Sequence, residues 1–192
     1  MLERENTINN LKNNKILEIK DFKIQEISFI NKINLRFDPK NKEYMASCGK
    51  ILDIILPTKP NTYSKNKNIK AVWLSPDEWL IVNTDSNNLY DKLKNKLNKM
   101  DTSLTDVSEN RTVFRISGNK LFVLLSKFLV LNLDKNLSDQ SSCAQTLFVK
   151  VPILVLRNNN DNEIPEIEIF VNKSHASYVY NLILDGTKNL DF

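Results

Sequence analysis

Few residues in this chain are of the types that perform catalysis, and they lie far apart. The sequence has one histidine, His175, and two cysteines, Cys48 and Cys143. A cysteine nucleophile needs a base such as His175 beside it, but an isolated cysteine is more often a small buried hydrophobic residue. The three residues also lack the spacing of a zinc site. The pattern therefore favours buried, unpaired cysteines over a nucleophile or a metal site.

The distribution of glycine excludes phosphate-binding loops. The glycines are Gly49, Gly118 and Gly186. A P-loop or a dinucleotide fingerprint needs several glycines within a few residues. We therefore expect no cofactor on this chain.

Two adjacent carboxylates, Asp77 and Glu78, follow Pro76 between two apolar runs. Proline presets φ for a type I turn, and the flanking residues are β-branched or aromatic. The pattern predicts a β-hairpin over residues 70–83. Adjacent side chains in a turn point apart, so a turn is favoured over an acid–base pair.

Both tryptophans of the chain, Trp73 and Trp79, lie in the arms of this hairpin. Tryptophan anchors cores and is enriched at interface hot spots. We expect the pair to anchor either the subdomain or a subunit contact, with Pro76, Asp77 and Glu78 as candidates for the same contact.

Two arginines, Arg111 and Arg115, lie near a strand start, with Asp106 and Glu109 close in sequence. This proximity favours a structural ion pair over anion recognition.

Gln145 and Thr146 are polar residues within the apolar strand predicted at 143–149. Successive residues of a strand face opposite sides, so one of the two points inward and needs a partner. A pocket and a satisfied cross-strand hydrogen bond are equally consistent with this pattern.

Hydrophobic spacing predicts strand pairs that alternate with helices. Three leucines four residues apart indicate an amphipathic helix over 86–100 with Ser86 as its N-cap. An apolar stretch at 120–129 predicts a helix that is either deeply buried or covered on one face, for which a partner subunit is one candidate. The remaining expectations are a helix that starts at Asp38-Pro39 and stops near Gly49, paired strands at 104–107 and 112–116, and a last helix from Ser174 to Gly186.

This order of elements predicts an α+β fold with mainly antiparallel sheets and packed helices. We expect a polar lead-in at residues 1–20 and two small subdomains at 21–104 and 105–192.

The bulk composition limits the partners and the location. The net charge is +4, and the lysines are scattered among asparagines, whereas a nucleic-acid binder concentrates them on one face. No apolar run approaches the roughly 18 residues that span a bilayer, and the N-terminus lacks a signal peptide. We therefore expect a cytoplasmic protein without nucleic-acid or membrane partners.

Several segments between Ile24 and Leu184 follow the order of one protein family. They are Asn34 to Arg36 with Asp38-Pro39, Leu56 to Thr62, Trp73 to Leu80, Asp106 to Ser108 with Arg111, Arg115 to Gly118, Cys143 to Thr146 and Tyr178 to Leu184. Together they resemble the gamma subunit of heterotetrameric sarcosine oxidase. The hairpin and the Cys-Ala-Gln-Thr segment carry the most specific part of this resemblance.

The resemblance implies a folate-binding aminomethyltransferase-like fold and a non-catalytic place in a flavoenzyme with alpha, beta and delta partner subunits. That complex demethylates sarcosine to glycine with hydrogen peroxide, and yields methylenetetrahydrofolate or formaldehyde. FAD, FMN, NAD, tetrahydrofolate and zinc are then expected on the partner subunits. The resemblance marks Trp73 to Trp79, Arg111, Arg115 and Gln145 as family-motif or interface residues.

Two other interpretations remain open at this point. Residues 106–118 resemble, more distantly, the folate-binding domain of aminomethyltransferases, which implies a stand-alone folate-binding protein or one-carbon enzyme. The chain could also be an α+β interaction module of another kind.

Overall fold

The structure is a computed structural model that describes residues 5–85, 88–97, 101–159, 163–188 and 190, apart from the side chains of residues 13 and 14. Within these residues it has eleven β-strands and five α-helices. The strands are β1 (Ile16–Ile19), β2 (Phe22–Glu26), β3 (Asn31–Arg36), β4 (Tyr63–Lys65), β5 (Ile69–Ser75), β6 (Glu78–Asn83), β7 (Ser103–Asp106), β8 (Arg111–Ser117), β9 (Cys143–Phe148), β10 (Val151–Arg157) and β11 (Glu166–Asn172). The helices are α1 (Lys42–Leu52), α2 (Leu89–Leu97), α3 (Leu121–Ser126), α4 (Leu133–Asn136) and α5 (Ala176–Lys188), and two 3-10 helices span Asn9–Asn14 and Lys173–His175.

The chain forms two compact units whose bounds differ from the expected subdomains. The central unit is Ile30–Ser108, and the terminal unit combines the residues up to Phe29 with those from Glu109 onward. The expected lead-in at 1–20 contributes a 3-10 helix and β1 to the terminal unit.

Two buried contacts hold the N-terminal segment in the terminal unit. Leu11 is fully buried in the core of that unit. The carboxylate of Glu26 accepts the backbone N–H groups of Thr7 at 2.8 Å and Ile8 at 2.9 Å. These bonds satisfy a buried carboxylate with backbone donors that lie 19 and 18 residues before it in the sequence. No local pattern signals a contact at that separation.

The central unit is a five-stranded antiparallel sheet with the order β4-β5-β6-β3-β7. Helices α1 and α2 supply the apolar residues that pack on one face of it. The predicted leucine stripe is confirmed, since Leu89, Leu93 and Leu97 are all buried in this core.

The terminal unit is a six-stranded antiparallel sheet with the order β1-β2-β8-β11-β10-β9. Helices α3, α4 and α5 contribute to its core together with alternate residues of five strands. The two antiparallel sheets with packed helices confirm the α+β fold class.

Helix ends differ from the sequence predictions. Asn41, not Asp38, caps α1, and its side chain accepts the N–H groups of Glu43 and Tyr44. Gly49 lies inside α1, which ends at Leu52 and has Asp53, with φ 52°, as its C-cap. Asn41 therefore caps the start of α1 in place of Asp38, and Asp53, in the left-handed conformation, caps its end in place of Gly49.

The last helix also runs past its predicted end. Gly186 lies inside α5, which starts at Ala176 after a short 3-10 turn, so Ser174 is not its N-cap. The predicted helix at 120–129 is shorter, as α3 spans Leu121–Ser126.

The strands predicted at 104–107 and 112–116 both exist but do not pair with each other. Strand β7 pairs with β3, whereas β8 pairs with β2 and β11. The boundary of the two units falls between them, after Ser108. The predictions about Ser86, Met100 and residues 160–162 lie outside the described residues.

Candidate functional site

The tryptophan hairpin, residues 69–83, forms as predicted from β5 and β6. Trp73 lies opposite Trp79, and the register shifts between Trp73 and Ser75. Trp79 is fully buried. Its Nε1 donates to the carbonyl oxygen of Pro57 at 2.8 Å, and its ring lies 4.8 Å from that of Phe37. Trp79 is thus a packing anchor of the central unit, while Trp73 is only partly buried.

The carboxylate of Asp77 is bonded within the hairpin tip. It accepts a hydrogen bond from Ser75 Oγ at 2.7 Å and one from an Arg36 guanidinium nitrogen at 3.0 Å. These two bonds, the one from Ser75 first, lower the pKa of Asp77 below its ordinary value. The bond to Asp77 in turn raises the pKa of Arg36. Asp77 is therefore an ionised partner of Arg36 rather than a proton donor.

Glu78 binds a different residue from those that bind Asp77, so the two adjacent carboxylates do not act as a pair. Its Oε1 accepts a hydrogen bond from Asn34 Nδ2 at 2.6 Å. Asn34 and Arg36 are neighbours of the hairpin because β3 pairs with β6. The two carboxylates do not share a proton donor or a site, as expected for adjacent turn residues.

A cleft of about 590 Å³ opens beside this tip. Its lining comes from the end of β3, from the hairpin tip and from the start of β7; the residues are Arg36 to Lys40, Pro76, Asp77 and Asp101 to Ser103. The Arg36–Asp77 pair stands at its wall. The hairpin thus presents Pro76 and Asp77 at an accessible concave surface, which suits a contact better than buried chemistry.

Arg115 makes a structural ion pair, though with acids other than those close in sequence. Its guanidinium lies 2.8 Å from Oε1 of Glu168, whose side chain is 4% exposed. Glu166 lies at 3.7 Å. These acids belong to β11, so only the cross-strand register reveals them.

The acids near the two arginines in sequence take other partners. Asp106 accepts the N–H and the Oγ–H of Ser108, and Glu109 pairs with Lys173 at 3.1 Å. Arg111 stands at the start of β8, opposite Asn172.

The environments of the two cysteines disfavour the thiolate form that a nucleophile needs. Cys48 and Cys143 are free and buried. Burial raises the pKa of each thiol to about 12. His175 is exposed and lies close to Ser174 Oγ, at 3.5 Å. A thiol needs a lowered pKa to act as a nucleophile, so these environments favour a structural role.

Gln145 lies on β9 at the edge of the terminal sheet, and its side chain is exposed. Thr146 is the one on the core face, with Ala144 and Phe148 as its neighbours two residues away. Gln145 therefore does not point into a pocket. An exposed apolar cluster beyond it, around Leu147, was not identified from the sequence, because alternation of polar and apolar residues breaks down at this edge.

Other kinds of site are not found in the described part of the chain. No three His, Cys, Asp or Glu side chains of these residues come together as metal ligands. None of their helices combines the length and the apolar character that crossing a bilayer requires.

Comparisons with known proteins agree on one family. The model of the "Sarcosine oxidase, gamma subunit family" matches residues 36–189. The curated sarcosine oxidase subunit gamma of Corynebacterium sp. (strain U-96) is 24% identical over 140 residues, which are 72% of this chain and 68% of that protein.

Solved structures share the fold at low sequence identity. A chain of the heterotetrameric sarcosine oxidase from Corynebacterium sp. U-96, in complex with pyrrole 2-carboxylate, superposes with a TM-score of 0.80 at 19% identity, over 93% of this chain and 90% of that one. The glycine cleavage system aminomethyltransferase T from Bartonella henselae superposes with a TM-score of 0.62 at 14% identity, over 85% of this chain and 45% of that one. Since the family model covers most of the chain, the chain belongs to the sarcosine oxidase, gamma subunit family.

Proposed function

We propose that this chain is the non-catalytic gamma subunit of a heterotetrameric sarcosine oxidase, and that it acts by packing against the other subunits. The observation that carries the proposal is the family match over residues 36–189. The fold supports it, because the superposition with a chain of such a complex covers nine-tenths of both chains.

The side chains that sequence analysis singled out support a structural role. Trp79 bonds to Pro57, Asp77 to Arg36, Glu78 to Asn34 and Arg115 to Glu168. Each of these groups is used to hold two segments of one unit together. A general acid or base, by contrast, must lie within hydrogen-bond reach of a substrate atom.

The proposal extends to the partners and the reaction. The partners are the alpha, beta and delta subunits, which hold FAD, FMN, NAD, tetrahydrofolate and zinc. The complex demethylates sarcosine oxidatively to glycine. The cytoplasm is the proposed location, and the free, buried thiols of Cys48 and Cys143 suit its reducing conditions.

The proposed contact residues lie on two exposed features. One is the tip of the tryptophan hairpin, where Pro76 and Asp77 line the cleft, with Trp73 in β5 and Glu78 in β6 on either side of them. The other is the edge strand β9, where Gln145 is exposed. Trp79, Arg111 and Arg115 then serve as internal supports of these surfaces.

Activity measurements on separate and combined subunits test this proposal. The purified chain should not oxidise sarcosine, and the other three subunits should show full, stable activity only when this chain is co-expressed with them. Oxidation of sarcosine by the chain alone would contradict the non-catalytic role.

The second candidate function is folate binding by the chain alone, which the fold shared with aminomethyltransferase T favours. That enzyme is about twice as long as the part that superposes, so the likeness concerns the fold. Calorimetric titration with tetrahydrofolate discriminates the two functions. Micromolar binding to the purified chain would support the second candidate, and the first predicts none.

A further inference from the structure

The end of the edge strand β9 lies against the segment that follows α3. Leu129 and Phe148 form an antiparallel bridge. This bridge places Val130 opposite Leu147, since residues advance in opposite directions along the two segments. Leu129 and Phe148 are buried in the core, so the alternation of side chains directs Val130 and Leu147 away from it.

These outward residues are apolar, exposed and close to one another along the two paired segments. Val130 is 101% exposed, Leu147 52% and Val149 46%. Pro152 lies opposite Leu147 in the β9–β10 pair and is exposed too. We call these four residues the Leu147 patch. Single exposed apolar residues are common, but neighbouring ones indicate an interaction site.

The backbone at Val149 gives a second, independent indication. Val149 and Lys150 form the two-residue turn of the β9–β10 hairpin, and Val149 has φ 57°. Glycine or asparagine normally fills such a turn position, and a β-branched residue there is an outlier. The chain thus keeps a strained, exposed valine where asparagine would relieve the strain and be hydrated, which favours a use for the apolar side chain outside this fold.

The charges beside the patch indicate what kind of partner fits. The N–H of Val149 donates to the carbonyl of Phe128 at 2.9 Å. Lys150 follows Val149 and Lys127 precedes Phe128 in the sequence, and both lysines are exposed. Lys127 Nζ already donates to the carbonyl of Gly186 at 2.9 Å. A second copy related by a twofold axis would bring Lys150 of both copies to the same interface. The patch therefore suits a different chain that carries carboxylates.

We propose that the Leu147 patch docks a segment of a partner subunit that presents apolar side chains flanked by Asp or Glu. The inference rests on the proposed function, because that function supplies the partner. It adds the surface used and the chemistry of the segment that occupies it. In the assembled complex the segment covers Val130, Leu147 and Val149, and its carboxylates pair with Lys150.

The test combines binding and stability measurements on the full chain. The other three subunits from the same organism are purified as the probe, and their affinity for the chain is measured by biolayer interferometry. Val149→Asn should raise the Tm of the isolated chain, by about 2–4 °C for each kcal/mol of strain relieved, and yet weaken binding at least about tenfold. If Val149 had only a structural role, a variant with a higher Tm would not bind the other subunits more weakly.

Three further variants sharpen the result. Leu147→Ser should weaken binding without loss of Tm. Lys150→Glu should weaken it more at low salt than at high salt, because salt screens exposed charges. Ile55→Ser is the matched control, since Ile55 is 84% exposed but lies in the central unit; it should leave the affinity unchanged.

The outcomes separate this inference from the proposed function. Wild-type binding together with affinities of Val149→Asn and Leu147→Ser within twofold of wild type would overturn the inference alone. Failure of the wild-type chain to bind would overturn both. A homodimer in sedimentation velocity that these variants dissolve, with binding to the other subunits intact, would assign the patch to a second copy and overturn the inference.

Discussion

At the scale of single residues, Trp79 is the largest fully buried side chain of the described residues, and its N–H group is hydrogen-bonded. Trp79→Ala should lower the free energy of unfolding by about 3–5 kcal/mol, since it leaves a large cavity. It also leaves the carbonyl of Pro57 without its donor. Chemical denaturation measures the change. Trp73→Ala is the control, because Trp73 is only partly buried and should cost clearly less.

The activity of the assembled complex distinguishes a packing role of Trp79 from a role in catalysis. Any Trp79→Ala protein that still assembles should retain the flavin chemistry of the complex. An assembled variant without turnover would contradict the structural role of Trp79.

The ionisation of Asp77 gives a prediction about pH. Its pKa is lowered in the folded state, first by the hydrogen bond from Ser75 and then by Arg36. Its contribution to stability is therefore present above the unfolded value of about 3.9, and it is lost as the pH falls through the lower folded pKa. Ser75→Ala should raise the pKa of Asp77, as measured by carboxyl NMR titration. Ser126→Ala should not, because the Ser126 hydroxyl donates to Val123 in the other unit.

The buried thiols should be inert. Burial raises the pKa of Cys48 and Cys143 to about 12, so both remain protonated at pH 8. Ellman's reagent should detect no thiol in the native chain at pH 8 and both thiols after denaturation. A native thiol that reacted within seconds would mean that one cysteine is exposed or activated.

At the scale of elements, close packing of α5 depends on a glycine. A Cβ at Gly186 would lie 2.7 Å from the ring of Phe128 and 2.8 Å from Leu124. Phe128 cannot easily move, since it stacks on Phe148 with ring centroids 4.8 Å apart.

Gly186→Ala should therefore destabilise the chain although alanine favours helices. The cost of overpacking, about 1–3 kcal/mol, opposes a gain in helix propensity of about 1 kcal/mol. Gly49→Ala in α1 is the matched control, because its Cβ would meet only the carbonyl of Ile54, at 3.3 Å. Thermal unfolding should show a clear loss of Tm for the first variant and a small change for the second. A higher Tm for Gly186→Ala would contradict the packing shown here.

Both glycines also show what sequence patterns predict and what they do not. We assigned Gly49 and Gly186 to helix ends because glycine is common there, but both lie within helices. Strand positions were predictable, since the alternation around Trp79 and the stripe of Leu89 reflect local geometry. The partners were not, because β7 and β8 are adjacent in sequence and yet belong to different sheets.

In the candidate site, too, local elements were predictable from the sequence and the contacts between strands were not. The hairpin and its turn at Asp77 were predictable from Pro76 and the flanking apolar runs. The bonds from Arg36 to Asp77 and from Arg115 to Glu168 depend on cross-strand register, which the sequence does not display. The exposure of Leu147 depends on which strand is the edge.

At the scale of the whole molecule, the chain is a member of a family of subunits and is expected to act within a larger assembly. The family match and the superposition over nine-tenths of both chains support the proposed gamma subunit. The exposed Leu147 patch and the cleft beside the tryptophan hairpin are surfaces that such an assembly can cover.

Native mass spectrometry of the complex purified through a tag on another subunit tests this central claim most directly. The account predicts a species in which one copy of this chain joins the alpha, beta and delta subunits. A fully active sarcosine oxidase that contained the other three subunits and never this chain would contradict it.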